Sequence, residues 1–205
     1  SSPNDADIHR GLAHMLSLAG HHDEAILEGK RAVDLDPLAL LTNALSAQFL
    51  CFAGKDKEAK EQVQRTFAIE PNFWIAHNTL GRILTAEGRY KEALSEFQLA
   101  RDLSGGRSVV PIYEIGYINA VMGNRKAAME IISELERSRD SRFVSNYSFA
   151  VIYNGLGDRD KALDYLERSC GDLEADVVFI KANHRWDAYK DDPRYIAILK
   201  QLNLE

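Results

Sequence analysis

Apolar residues return along the chain at spacings of three and four, in paired blocks. Leu80 and Leu84 make one such stripe, and Leu94 and Phe97 make the next. A side chain every three or four residues falls on one face of an α-helix, so each block predicts an amphipathic helix facing a partner. Gly88 stands between the two blocks, where a chain that reverses between helices needs a left-handed residue.

The arrangement repeats. Gly20, Gly54, Gly88, Gly123 and Gly157 step along the chain by 34, 34, 35 and 34 residues. Ala25, Ala59, Ala93, Ala128 and Ala162 keep the same steps, and Ala13, Ala47, Gly81, Gly116 and Ala150 form a third track of small residues. Glycine is about 7% of an average protein, so five in one register is a chance event of order 10⁻⁶, or roughly 10⁻⁴ over all registers. The alanines fall early in each second helix and the third track lies on each first helix. Small side chains at both places let two antiparallel helices approach closely. Pro37 and Pro71 mark the junctions between pairs, since proline neither continues a helix nor lets its predecessor do so. One more step back reaches Pro3, so the chain is expected to open on the last residues, 1–5, of an earlier repeat, as the tail of a longer protein.

These residues resemble the tetratricopeptide repeat (TPR) family. The third repeat matches best, with Leu80, Gly81, Leu84, Gly88, Tyr90, Ala93, Phe97 and Ala100 at signature places. The first (Ala13, Gly20, Ala25, Ala32, Pro37) and fifth (Ala150, Tyr153, Gly157, Ala162, Leu166) follow, while Thr66 and Leu135 replace the preferred alanine in the second and fourth. The resemblance implies an all-α fold, a right-handed α-α superhelix of about five helix hairpins over 6–39, 40–73, 74–108, 109–142 and 143–173. The one added residue falls in Ser104–Ser108, read as a flexible stretch where stacking changes.

Residues 174–205 are expected to form a helical cap, because the last helix pair of an array otherwise exposes an apolar face. Val177, Val178, Phe179, Ile180 and Trp186 supply packing residues. Asp192 and Pro193 make a strong helix start, followed by Tyr195, Ile196, Ile198, Leu199 and Leu202 as a buried stripe. The stretch from Tyr147 to Leu202 is also similar to the carboxyl ends of multidomain bacterial signalling proteins. In those, a TPR array follows a winged-helix regulator, a kinase or a cyclase.

Composition narrows the function. Among 205 residues, 25 Lys+Arg against 31 Asp+Glu give a net charge of −6, which argues against a nucleic-acid surface. No apolar run approaches the roughly 18–20 residues that span a bilayer. The two cysteines, Cys51 and Cys170, lie far apart and match no metal or redox spacing, which favours a reducing compartment. The expected localisation is cytoplasmic, or periplasmic should a membrane segment lie upstream. The six histidines read as solvated or capping residues, because no His/Cys/carboxylate set has zinc spacing. Gly105–Ser108 lacks the Lys and Ser/Thr of a phosphate loop, and Cys170, near Arg168 at a helix end, has no histidine base. No catalytic residue, metal site or cofactor is expected.

What remains is a surface. The family resemblance implies that the first helix of each pair lines a concave groove. Its groove positions fall here on Arg10, His14 and Ser17; Ala44, Gln48 and Cys51; Asn78, Arg82 and Thr85; Tyr113 and Tyr117; Tyr147 and Asn154. The groove is thus expected to be cationic and polar at the amino end and tyrosine-rich toward the carboxyl end. Arginine and asparagine suit a carboxylate or peptide backbone, and tyrosine suits recognition. The alternative is that the tyrosines simply pack under neighbouring helices. Where co-chaperone TPRs hold a chaperone terminus between basic residues and asparagine, this chain has Arg10/His14, Leu45 and Ile75/Thr79, so a two-carboxylate clamp is not expected. The reading is a non-catalytic scaffold binding a peptide or partner protein, in which Arg82 or Tyr117 can be truncated without harm to the fold. The alternative is a sensory domain binding a small peptide or metabolite to control an upstream effector. Exposed array ends leave end-to-end self-association open.

Overall fold

The computed structural model describes residues 5–181 and 183–204. Among them are eleven α-helices, two 3-10 helices and no strand. Ten helices form five successive pairs: α1 (Ala6–Leu18) with α2 (His22–Leu35), α3 (Leu40–Phe52) with α4 (Asp56–Ile69), α5 (Trp74–Ala86) with α6 (Tyr90–Leu103), α7 (Val110–Val121) with α8 (Arg125–Ser138), and α9 (Asn146–Gly155) with α10 (Arg159–Gly171). Each pair also packs on the next, so the chain is all-α and stacked like a TPR superhelix.

The small-residue tracks work as their spacing demands. The five turn glycines all sit in the left-handed region, with φ between +69° and +82°. A β-carbon there would be strained by about 1–2 kcal/mol. Ala25, Ala59, Ala93, Ala128 and Ala162 are fully buried between the helices of their pairs. Gly116 shows why its track is small: a β-carbon at this position would lie 2.7 Å from Ile152 Cδ1 and 3.0 Å from Ile131 Cγ2. Helix α7 can therefore sit against α9 only without a side chain there.

One polar register also runs through the array. His9 of α1 pairs with Glu28 of α2, Asn43 of α3 accepts from Gln62 Nε2 of α4 at 2.8 Å, and His77 of α5 meets Glu96 of α6 at 2.7 Å. Each pair is separated by 19 residues and bridges the two helices of one hairpin. In the fourth repeat the same places hold Ile112 and Ile131, both buried. His9 and His77 are thus inter-helix partners rather than solvated or capping residues.

The stacking is uneven. Helix α1 packs on α3, α3 on α5, and α7 on α9, whereas α5 and α7 touch only sparsely. This break follows the extra residue near Gly105. The Ser104–Ser108 stretch is tied down rather than loose: Ser104 is buried, Arg107 Nε donates to the Ser104 carbonyl at 3.1 Å, and Arg142 donates to the Gly106 carbonyl.

The closing segment does two things. Helix α11 (Pro193–Gln201) packs on α10, with Asp192 accepting from Arg194 N at 2.9 Å as the N-cap and Tyr195 and Ile198 buried. Ile196 is 38% exposed and does not join that stripe. The 3-10 helices Ala175–Ile180 and His184–Tyr189 precede α11, and the second of them lies against α7 and α9 through Arg185 and Trp186. Trp186 is fully buried there, and Val177, Ile180 and Tyr189 join the main core. The segment reaches the amino-terminal repeats: Lys181 Cε lies 3.5 Å from the β position of Gly20, and His184 Nε2 lies 3.7 Å from that of Gly54. Pro3 and the side chain of Phe179 lie outside the described residues.

Candidate functional site

The first helices of the pairs present most of the predicted groove residues to one another. Gln48 from α3, Asn78 and Arg82 from α5, Tyr113 from α7 and Tyr147 from α9 line a single cavity of about 230 Å³, closed on one side by Asp176 and Asn183 of the returning segment. A neighbouring cavity of about 200 Å³ is lined by Cys51, Arg82, Thr85, Tyr117 and Arg185. Arg82, Phe52 and Asn183 belong to both, so the two are adjacent stations along one groove.

The amino-terminal candidates stand apart. Arg10 Nη2 donates to Asp7 Oδ1 at 2.8 Å within α1. The His14 ring lies 6.3 Å from that of Phe49, and burial, then the charge of Arg10, lower its pKa. Neither lines the two cavities. A further cavity of about 260 Å³ opens between α2, α3 and α4, lined by Gly29, Phe49, Gln62 and charged residues such as Lys30 and Glu61, and holds none of the predicted groove residues.

The tyrosine-rich half is not open surface. Tyr113 and Tyr147 are buried and meet edge to face with centroids 6.1 Å apart, and Tyr147 packs on Trp186 at 6.2 Å. Burial pushes both phenol pKa values up. Tyr117 lies under the Arg185 guanidinium, which stands 4.3 Å from its ring centroid. Asn154 donates through Nδ2 to the Arg185 carbonyl at 2.9 Å and accepts from Tyr189 Oη at 3.3 Å. Tyr117, Tyr147 and Asn154 thus bind the chain's own returning segment, and Tyr113 packs beneath Tyr147.

At the centre is a buried ion cluster. Glu114 of α7, 1% exposed, accepts from Arg82 Nε at 2.9 Å and from Arg185 Nη2 at 2.8 Å. Burial alone would raise the Glu114 pKa, but Arg185 and Arg82 outweigh it and the carboxyl is held below its usual range. The sparse contact between α5 and α7 is bridged by this cluster. Sequence reasoning missed Glu114 and Arg185. Glu114 had a signal, a lone carboxylate inside the apolar run from Pro111 to Ile118. Arg185 had none, because its role depends on a contact across 71 residues.

The thiols are quiet. Cys51 is pushed up to about 12, chiefly by burial, and burial also raises Cys170. The activation considered for Cys170 beside Arg168 does not occur. Among the described residues no group of three or more His, Cys, Asp or Glu is placed to hold a metal ion, and no helix is long and apolar enough to cross a membrane.

Comparison with known proteins fits this geometry. A tetratricopeptide repeat family model matches residues 144–171, the fifth helix pair. The chain is similar to tetratricopeptide repeat proteins in this pair and in its overall fold. Its TPR fold is similar to PilW, a type IV pilus biogenesis factor, at a TM-score of 0.61 and 18% identity over 97% of this chain and 92% of that one. Pseudomonas aeruginosa PilF gives 0.59 and 17% over 97% and 90%. At such identities the likeness concerns the fold. The chain is also 25% identical over 171 residues to anaphase-promoting complex subunit 3 of Schizosaccharomyces pombe, covering 82% of this chain and 26% of that protein. It therefore spans about a quarter of that relative's length. TPR arrays are interaction modules and generally non-catalytic.

Proposed function

We propose that this array binds an extended peptide or partner segment in what remains open of its concave groove, the stretch between α3, α5 and α7. The observation that carries the reading is Asn78: its Oδ1 is buried, has no hydrogen-bond partner, and belongs to a residue lining the 230 Å³ cavity with Gln48. A buried amide oxygen without a donor costs about 1–3 kcal/mol, which a backbone or side-chain N–H from a ligand would offset. The two stations, of about 200 and 230 Å³, adjoin through Phe52, Arg82 and Asn183, and adjoining stations suit successive side chains of an extended peptide.

Arg82 and Tyr117 are unsuited to testing this, since both hold the buried ion cluster. Gln48→Ala and Asn78→Ala remove groove contacts without touching Glu114. Each should lower capture of sequences bound by the wild-type chain on a synthetic peptide array at least about tenfold. Helicity should stay nearly unchanged, Gln48→Ala should leave the melting temperature where it is, and Asn78→Ala, which removes the unpartnered oxygen, should not lower it. Equal binding by the variants would place the partner elsewhere. The resemblance of the closing stretch to bacterial signalling proteins supports a place for the array in a larger regulatory chain. The unpaired Cys51 and Cys170 support a reducing, cytoplasmic setting.

A further inference from the structure

Arg82 and Arg185 share one carboxylate. Their side chains are 12% and 7% exposed, and both form their ion pair with Glu114. Two guanidiniums against one carboxylate leave a net positive charge inside the protein. Arg185 also keeps one nitrogen, Nη1, buried with no hydrogen-bond partner. Asp56 lines the same 200 Å³ cavity but pairs with neither arginine. A buried charge without a counter-charge costs several kcal/mol, so the arrangement is incomplete as it stands.

The cavity beside it is built to receive a small anion. Its polar side comes from Arg82, Arg185, Thr85, Asn183 and His184 with the one carboxyl of Asp56, and its apolar side from Phe52 and the Tyr90 and Tyr117 rings. A partly enclosed, low-dielectric wall strengthens an ion pair relative to water. Water takes about 30 Å³ per molecule, so a space of about 200 Å³ equals about seven waters and has room for a carboxylate-bearing side chain.

We infer that this cavity receives a carboxylate carried by the bound peptide, an Asp or Glu side chain seated against Arg185 and Arg82. The inference rests on the peptide-groove reading and gives it a residue preference: a ligand lying in the Asn78 cavity meets the arginine station next, because the two share Arg82 and Asn183. The station is made jointly by a repeat helix and by the returning segment, so it is absent from the repeats taken alone.

The test is a titration of the whole chain with N-acetylglutamate N-methylamide, following the arginine Nε–Hε signals by ¹⁵N NMR, with the glutamine analogue and inorganic phosphate as parallel arms. Saturable shifts of the Arg82 and Arg185 signals are expected. The glutamine analogue should bind at least about tenfold more weakly, as loss of a charge-assisted hydrogen bond requires. Arg185→Gln should abolish the response, and Arg185→Lys, which keeps the charge but loses the planar fork, should weaken it. Should Arg185→Gln unfold, the lysine variant and the wild-type chain still decide. Absence of shifts, equal response to the glutamine analogue, or phosphate binding as tightly as the glutamate analogue would overturn the inference. None of these outcomes touches peptide capture at Gln48 and Asn78, so the two readings fail separately.

Discussion

His77 Nδ1 lies 2.7 Å from Glu96 Oε2, while the other ring nitrogen lies 2.8 Å from the carbonyl of Pro71. One imidazole thus ties α5 to α6 and both to the junction with the preceding repeat. With both nitrogens facing acceptors, the ring is best satisfied when protonated. Burial opposes that charge, but Glu96 and the Pro71 carbonyl outweigh it and the His77 pKa is raised.

The sign of the pH dependence follows. A histidine whose folded pKa exceeds its unfolded value stabilises fully below the unfolded pKa of about 6.5, and this is lost as pH rises through the folded value. His14 and His22 are shifted down, mainly by burial, and act in the opposite sense. Chemical denaturation of wild type and His77→Gln from weakly acidic to weakly alkaline pH isolates the effect. The stability difference should be largest at acid pH and shrink as pH rises; a constant difference would contradict it.

Glu114→Gln should be the most damaging change in the ion cluster. It leaves Arg82 and Arg185 buried beside each other without a counter-charge, at a cost of about 3–5 kcal/mol. Removing either arginine alone leaves a neutral pair and should cost less. Urea titration of the three single variants gives the ranking, and an Arg82 variant less stable than Glu114→Gln would refute it.

Glycines in this chain divide by what surrounds them. Gly116→Ala drives a β-carbon against Ile152 and Ile131 and should cost about 1–3 kcal/mol. Gly11, inside α1 with nothing within 4 Å of its β position, should accept alanine with a gain of about 0.5–1 kcal/mol. Thermal melts of the two variants should move in opposite directions.

Trp186→Ala should cost about 3–5 kcal/mol, because a fully buried indole is removed from between Tyr147 and Tyr189. It should also loosen residues 183–189, read as faster amide hydrogen exchange there. Loss of stability without faster exchange in that segment would mean that the indole only fills space.

Thiol titration with a chromogenic disulfide near neutral pH should leave Cys51 and Cys170 unreacted in the folded chain and reveal both on unfolding. Burial raises both pKa values and so suppresses the nucleophilic thiolate.

The sequence by itself determined the architecture. A glycine and an alanine recurring about every 34 residues dictate five close-packed hairpins, because a left-handed turn and a small contact residue are local requirements. Asp192 and Pro193 likewise announce α11 within a single turn of chain. Tertiary structure alone decided what occupies the groove. Tyr117, Tyr147 and Asn154 were legible as groove positions, but whether they face a partner or the protein's own Arg185 and Trp186 depends on where residues 183–189 return. That return is held by the packing of Trp186 and by pairing a buried carboxylate on α7 with an arginine 71 residues away, long-range contacts that leave no period in the sequence.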